Sequence, residues 1–259
     1  VERRVSAMNR GVLPFVLIAS SSMISCATPE PLVPLQSVLI PDALLTTLPY
    51  PLFLEDLKAA EGYRQAGLAA RQADDFATAS AALKTAVALA PRTVSGYVLL
   101  GWTQHLAGDR DEAIAVLNRA IELDAEYIPA LNALGIAYLI NGNIDAAIAT
   151  HTQAKTLNPE NEIAYYNLSL AYQRLPDVDA AIRHANRATE LEPYNPHPWV
   201  ALALAHWSNQ DASAARAAYN QALQLDGRYY QSGHLNYLTR AGFSRNQIQQ
   251  VVEIQQQVI

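Results

Sequence analysis

The sequence predicts an all-α superhelix of stacked helix pairs, closed by a C-terminal capping helix. Alanine recurs every 34 residues, at Ala79, Ala113, Ala147, Ala181 and Ala215. A small residue stands twelve positions before each (Gly67, Gly101, Gly135, Ser169, Ala203), and a second alanine seven after it (Ala86, Ala120, Ala154, Ala188, Ala222). Within each period the apolar positions fall at i, i+3, i+4 and i+7, the spacing of one helix face. A fixed period of this length marks repeated units that bury their apolar faces only by stacking.

The elements follow in order. Residues 1–25 read as an export signal. Arg3, Arg4 and Arg10 form a basic region, and Gly11 to Ser25 form an apolar stretch that Pro14 interrupts. At about 15 residues the stretch is shorter than the roughly 20 that a membrane span needs, and it ends in small residues. Cys26 is the only cysteine, which rules out an internal disulfide framework and a multi-cysteine zinc site. Met23-Ile24-Ser25-Cys26 resembles a bacterial lipobox. That resemblance implies lipidation of Cys26 and a membrane-anchored protein facing the periplasm or an equivalent compartment. Ser25-Cys26-Ala27 also suits ordinary signal cleavage, giving a soluble exported protein, and an uncleaved anchor is the third reading.

Residues 26–59 form a proline-rich, apolar tether. Pro29, Pro31, Pro34, Pro41, Pro49 and Pro51 forbid a continuous helix. Leu32, Val33, Leu35, Val38, Leu39, Ile40, Leu44, Leu45 and Leu48 make the segment too apolar to remain solvated. It is expected to dock on the array or on a partner.

Five copies then occupy 60–93, 94–127, 128–161, 162–195 and 196–229. The fourth position of each is bulky (Tyr63, Tyr97, Leu131, Tyr165, Trp199) and the thirty-second is a proline or small residue (Pro91, Ala125, Pro159, Pro193, Gly227). Turn and capping residues separate the two helices of a pair: Asp75, Gly108 with Asp111, Gly142 with Asp145, Asp177 with Asp179, and Asp211. This pattern resembles the tetratricopeptide repeat. His151 and Ala185 stand where that family usually carries an aromatic, which predicts looser packing there. Residues 230–259 supply the cap: a helix near Ser232 to Leu238, then a helix from Arg245 to Gln257 with Ser244 as its N-cap.

The resemblance implies a concave, peptide-binding groove lined by the first helix of each copy. Its positions correspond here to Arg64, Leu68, Val98, Trp102, His105, Asn132, Ile136, Tyr166, Leu170, Gln173, Val200, Leu204 and Trp207. Trp102, Ile136, Tyr166, Leu170, Leu204 and Trp207 have no packing role in the repeat pattern, so they are expected to be exposed for an apolar peptide or helix. The tether or the capping helix could fill the same groove. Chaperone-binding members grip a terminal carboxylate with lysines and asparagines; only Asn132 and Asn167 lie near such positions, so that clamp is expected to be absent.

The net charge is −6, and removing residues 1–25 leaves about −8. An acidic chain without a Lys/Arg run lacks the footprint of nucleic-acid binding. The six histidines show no H-E-x-x-H spacing, and no nucleophile elbow, phosphate loop or dinucleotide fingerprint is present. No cofactor, metal, small-molecule substrate or catalytic residue is expected. The reading is a non-catalytic, membrane-tethered scaffold or assembly factor for protein partners. Alternatives are a soluble exported adaptor and an intracellular co-chaperone-like module.

Overall fold

The computed structural model describes residues 55–258. The signal region, Cys26 and the tether as far as residue 54 lie outside the described residues.

Ten helices form five antiparallel pairs. They are α1 (Leu57–Gln72) with α2 (Phe76–Leu89), α3 (Val94–Ala107) with α4 (Arg110–Leu123), and α5 (Ile128–Asn141) with α6 (Ile144–Leu157). The last two pairs are α7 (Glu162–Tyr172) with α8 (Val178–Leu191), and α9 (Pro196–Ser208) with α10 (Ala212–Leu225). Two 3-10 segments follow, Gly227–Tyr230 and His234–Ala241, and then α11 (Arg245–Gln256). No strand occurs among the described residues. The helix expected near Ser232 to Leu238 is therefore 3-10 in character, while Ser244 does open the last helix. Its hydroxyl accepts from Gln247 N and Gln247 Oε1 accepts from Ser244 N, a reciprocal capping box.

The turns within copies 1, 2, 3 and 5 solve one geometric problem in two ways. Gly108 and Gly142 end α3 and α5 in the left-handed region, with φ of 93° and 86°. Copies 1 and 5 lack that glycine, and Asp74 and Gln210 adopt φ of 57° and 60° instead. Asp75, Asp177 and Asp211 then cap the second helices by accepting from Thr78, Ala180 and Ala214 N–H. Asp111, Asp145 and Asp179 do not cap. They sit in the first helical turn, where the positive end of the helix dipole favours them.

All five ladder alanines are fully buried. The reason for the preceding small residue is contact between the paired helices. A Cβ on Gly67, Gly101 or Gly135 would lie 2.7, 2.6 or 2.5 Å from atoms of Leu83, Leu117 or His151. His151 does not loosen the array, contrary to the sequence expectation. Its ring is fully buried against Gly135 and fills the volume left by the missing Cβ. Neither ring nitrogen has a protein partner, and burial pulls its pKa down to about 3. Ala185 is fully buried as well.

The first helices α3, α5, α7 and α9 touch one another in succession, each backed by its second helix. They line the inner face of the superhelix. The largest buried cluster joins copies 3 to 5 to the C-terminal segment, because α11 packs on both α9 and α10. A smaller cluster of Leu117, Ala133, Leu134 and Ala137 joins copies 2 and 3.

Candidate functional site

The concave face divides into a filled stretch and an open one. Over copies 3 to 5, Leu139, Leu170, Val200 and Leu204 are fully buried. They share one core with Leu235, Leu238, Phe243, Ile248, Val251 and Ile254 of the C-terminal segment. Backbone carbonyls fix that segment in place. Tyr166 Oη donates to Ala241 O at 2.5 Å, and Gln247 Nε2 donates to Leu170 O at 3.0 Å and to Gln173 Oε1 at 2.6 Å. Gln173 Nε2 in turn reaches Gln250 Oε1 at 3.0 Å.

Arg174 ties three parts of the chain together. It donates to Leu139 O (2.6 Å), Gly242 O (2.8 Å) and Gln247 Oε1 (3.0 Å). All three acceptors are neutral, and desolvation lowers its pKa to about 10.

Of the six side chains expected to lie exposed, four are covered over copies 3 to 5, and Trp102 and Ile136 keep only part of their surface open. Leu170 and Leu204 are fully buried, while Tyr166 and Trp207 are half-buried against the same core. Ile136 is half-buried too, and Trp102 packs on the cluster of Leu117, Ala133, Leu134 and Ala137. The physical reason is that apolar area left on a concave face is covered by whatever part of the chain reaches it. Here that is the C-terminal segment over copies 3 to 5 and the neighbouring helix at copy 2.

Asn132 also turns inward, exchanging amide hydrogen bonds with Asn161 at 2.9 and 3.2 Å in a buried pair. Asn167 donates to Ile163 O within its own helix.

What stays open runs along copies 1 to 3: Arg64, Leu68, Val98, Trp102, His105 and Ile136, all half-buried. The Trp102 and His105 rings stack with centroids 5.0 Å apart and 23° between planes. Arg64 is held by Glu61 at 2.6 Å. Two hollows border this stretch and the C-terminal segment. One of about 970 Å³ is lined by Ile136, Ile163, Tyr166, His197, Tyr237 and Arg240, among others. Another of about 500 Å³ lies beside His105 and is walled by arginines. The sequence pattern missed Arg174, Tyr237 and Arg240. Arg174 and Arg240 lie in or next to turns, outside the repeat's helical register, and only their distance to the array gives them a role. The apolar spacing of Leu235, Leu238 and Phe243 was the available signal.

Among the described residues no three His, Cys, Asp or Glu side chains converge as metal ligands.

Three tetratricopeptide-repeat family models match the chain, over residues 64–128, over 104–170, and over 163–195 with 196–229. Together they span residues 64–229. The chain belongs to the tetratricopeptide-repeat family. No curated protein matches this repeat protein as a relative. Among solved structures, a crystal structure of MamA protein is 26% identical, covering 66% of this chain and 93% of its own, with a TM-score of 0.56. TTC0263, a thermophilic repeat protein of the same family in Thermus thermophilus, is 20% identical, covering 71% and 98%, at 0.59. MamA from Desulfovibrio magneticus RS-1, taken from its residue 41 to the end, is 19% identical, covering 66% and 96%, at 0.58. The last two likenesses concern the fold alone. Tetratricopeptide-repeat arrays of this kind are protein-interaction scaffolds.

Proposed function

We propose that the protein is a non-catalytic assembly factor, exported and held at a membrane through lipidated Cys26. It captures an apolar peptide or helix of a partner on the open stretch of its concave face. Leu68, Val98, Trp102, His105 and Ile136 make the contact. The observation that supports this reading is the groove's own occupant. Over copies 3 to 5 the concave face takes a helical segment through buried Leu, Ile, Val and Phe side chains and a few hydrogen bonds to backbone carbonyls. The same face over copies 1 to 3 carries the same kind of side chains without that cover, and the stacked Trp102–His105 pair offers a flat, rigid anchor.

Affinity purification of the intact protein, wild type against Trp102→Ala, tests the groove. A partner should be retained by the wild type and lost by the variant, with unchanged helicity in circular dichroism. Equal retention by both would remove the groove assignment. Metabolic lipid labelling that needs Cys26 and is blocked by globomycin tests the tether. Absence of labelling in the wild type would leave a soluble exported adaptor as the reading, and labelling that survives Cys26→Ala would remove Cys26 as the lipidated residue.

A further inference from the structure

The hollow of about 500 Å³ beside His105 has an unusual wall. Arg110, Arg174, Arg240 and Arg245 all line it, and no aspartate or glutamate does. None of the four takes part in an ion pair among the described residues, whereas Arg64, Arg92, Arg119, Arg187 and Arg228 each do. In a chain of net charge −6, with Asp109 and Asp111 as immediate neighbours of Arg110, four cations gathered without a counter-charge need a cause. Asp111 is engaged elsewhere, accepting from Asn141 Nδ2 at 3.4 Å.

Folding accounts for Arg174 through its three hydrogen bonds, and Arg240 lies over the Tyr237 ring at 5.2 Å, but the other two positions run against folding. Arg110 is the first residue of α4 and Arg245 the first residue of α11. Those places sit at the positive end of the helix dipole, where acidic residues are favoured and arginine is not. Both side chains are exposed, and among the described residues neither makes a side-chain hydrogen bond that fixes it. His105 Nδ1 is buried without a protein partner at the same wall. A local rule broken twice at one spot, with no structural gain, marks a site of use. Leu106, Ile140 and Phe243 add apolar side chains to the lining, and His105 of the Trp102–His105 stack lines the hollow too.

We propose that this hollow binds carboxylate side chains of the captured peptide, so that the partner segment is apolar and acidic together. The inference rests on the groove reading above and adds the charge of its ligand. Guanidinium forks match carboxylates in two parallel hydrogen bonds. The apolar side chains in the lining and the adjoining aromatic pair favour a peptide that carries leucine-like side chains next to its acids, rather than a small free anion.

Fluorescence polarisation with the full chain tests this, using an end-blocked peptide of alternating leucine and glutamate and its glutamine twin. The glutamate peptide should bind more tightly, and its advantage should shrink as salt rises. Arg110→Glu with Arg245→Glu should weaken the glutamate peptide about tenfold, the size of one or two partly exposed charge pairs, and leave the glutamine twin unchanged. Both changes place acids in first helical turns, so the fold is retained and circular dichroism should match the wild type. Trp102→Ala should weaken both peptides.

Equal binding of the two peptides, with no effect of the arginine changes, overturns the charged hollow and leaves the apolar groove standing. Binding of neither peptide removes both readings. Inorganic phosphate competing as well as the glutamate peptide would make the hollow a simple anion site. Arginine-dependent co-sedimentation with vesicles of anionic phospholipid, without peptide binding, would make it a membrane contact. Tighter peptide binding by Glu30→Gln with Asp42→Asn would identify the chain's own tether as the occupant. Each of these three overturns the partner-peptide assignment.

Discussion

Copies 1 and 2 and copies 3 to 5 are built from one 34-residue unit, yet their concave faces end in opposite states. Leu139, Leu170, Val200 and Leu204 are wholly buried, while Leu68 and Val98 at the corresponding places are only half so. The first helices are α-helical in both, with lengths of 11 to 16 residues. The difference is the C-terminal segment, which lies across three copies and stops short of the first two. In a repeat array each unit contacts only its neighbours, so stability is a sum of local terms. Arg174 breaks that locality by joining copy 3 at Leu139 O to the cap at Gly242 O. Copies 3 to 5 should therefore open together, and copies 1 and 2 should fray on their own.

Deleting residues 232–259 attacks the contrast most directly. It uncovers Leu139, Leu170, Val200 and Leu204 at once and removes the buried Leu235, Ile248, Val251 and Ile254. Loss of that burial, after the ordering of the segment is offset, is expected to be on the order of 5 kcal/mol or more. Urea unfolding followed by circular dichroism should show copy 5 melting early. An unchanged midpoint would mean that the segment merely rests on the array.

Single truncations sharpen the point. Leu204→Ala should cost about 3 kcal/mol by leaving a cavity, and Leu68→Ala no more than about 1 kcal/mol because water already reaches it. Similar losses at the two sites would erase the distinction between the filled and open stretches.

Acid should act on the filled side through His151. The folded chain holds this ring neutral, with a pKa near 3, while the unfolded chain takes up a proton near the ordinary histidine value. The stabilising effect of the neutral ring is complete above about pH 6.5 and is lost as the pH falls toward 3, at roughly 1.4 kcal/mol per pH unit. His184, held down to about 4 chiefly by partial burial, adds a smaller slope of the same sign. His151→Phe, which restores the aromatic usual in the repeat, should flatten the acid slope in chemical denaturation. A variant with the wild-type slope would show that the ring gains protons without unfolding. The smallest expected effect is that of Ser244→Ala. It removes the capping box at the start of α11 and should cost about 1 kcal/mol, read as a small shift in melting temperature.

Much of this was legible in the residues. The alanine ladder, the small residues opposite it and the turn signals determined the five helix pairs and the axis along which they stack. Helical periodicity and backbone contact are short-range, and each lies within one period of sequence. Asp75, Asp177 and Asp211 as caps, and Ser244 as the start of the last helix, were readable for the same reason. His151 was misjudged because its fit depends on the missing Cβ of Gly135, which the pattern at His151 alone does not contain.

The binding face could not be read in the same way. Which concave residues are free depends on a segment whose contacts with Tyr166 and Leu170 span 75 and 77 residues of sequence, a separation no periodicity encodes. The arginine hollow likewise draws Arg110, Arg174, Arg240 and Arg245 from separate turns and segments. By itself the sequence determined the fold and the kind of surface it presents, since both follow from local helix geometry repeated along the chain. Only the tertiary structure decided where that surface is already occupied, where it is open, and where charge collects. Burial and electrostatic neighbourhood are properties of three-dimensional distance, which the linear order of residues does not fix.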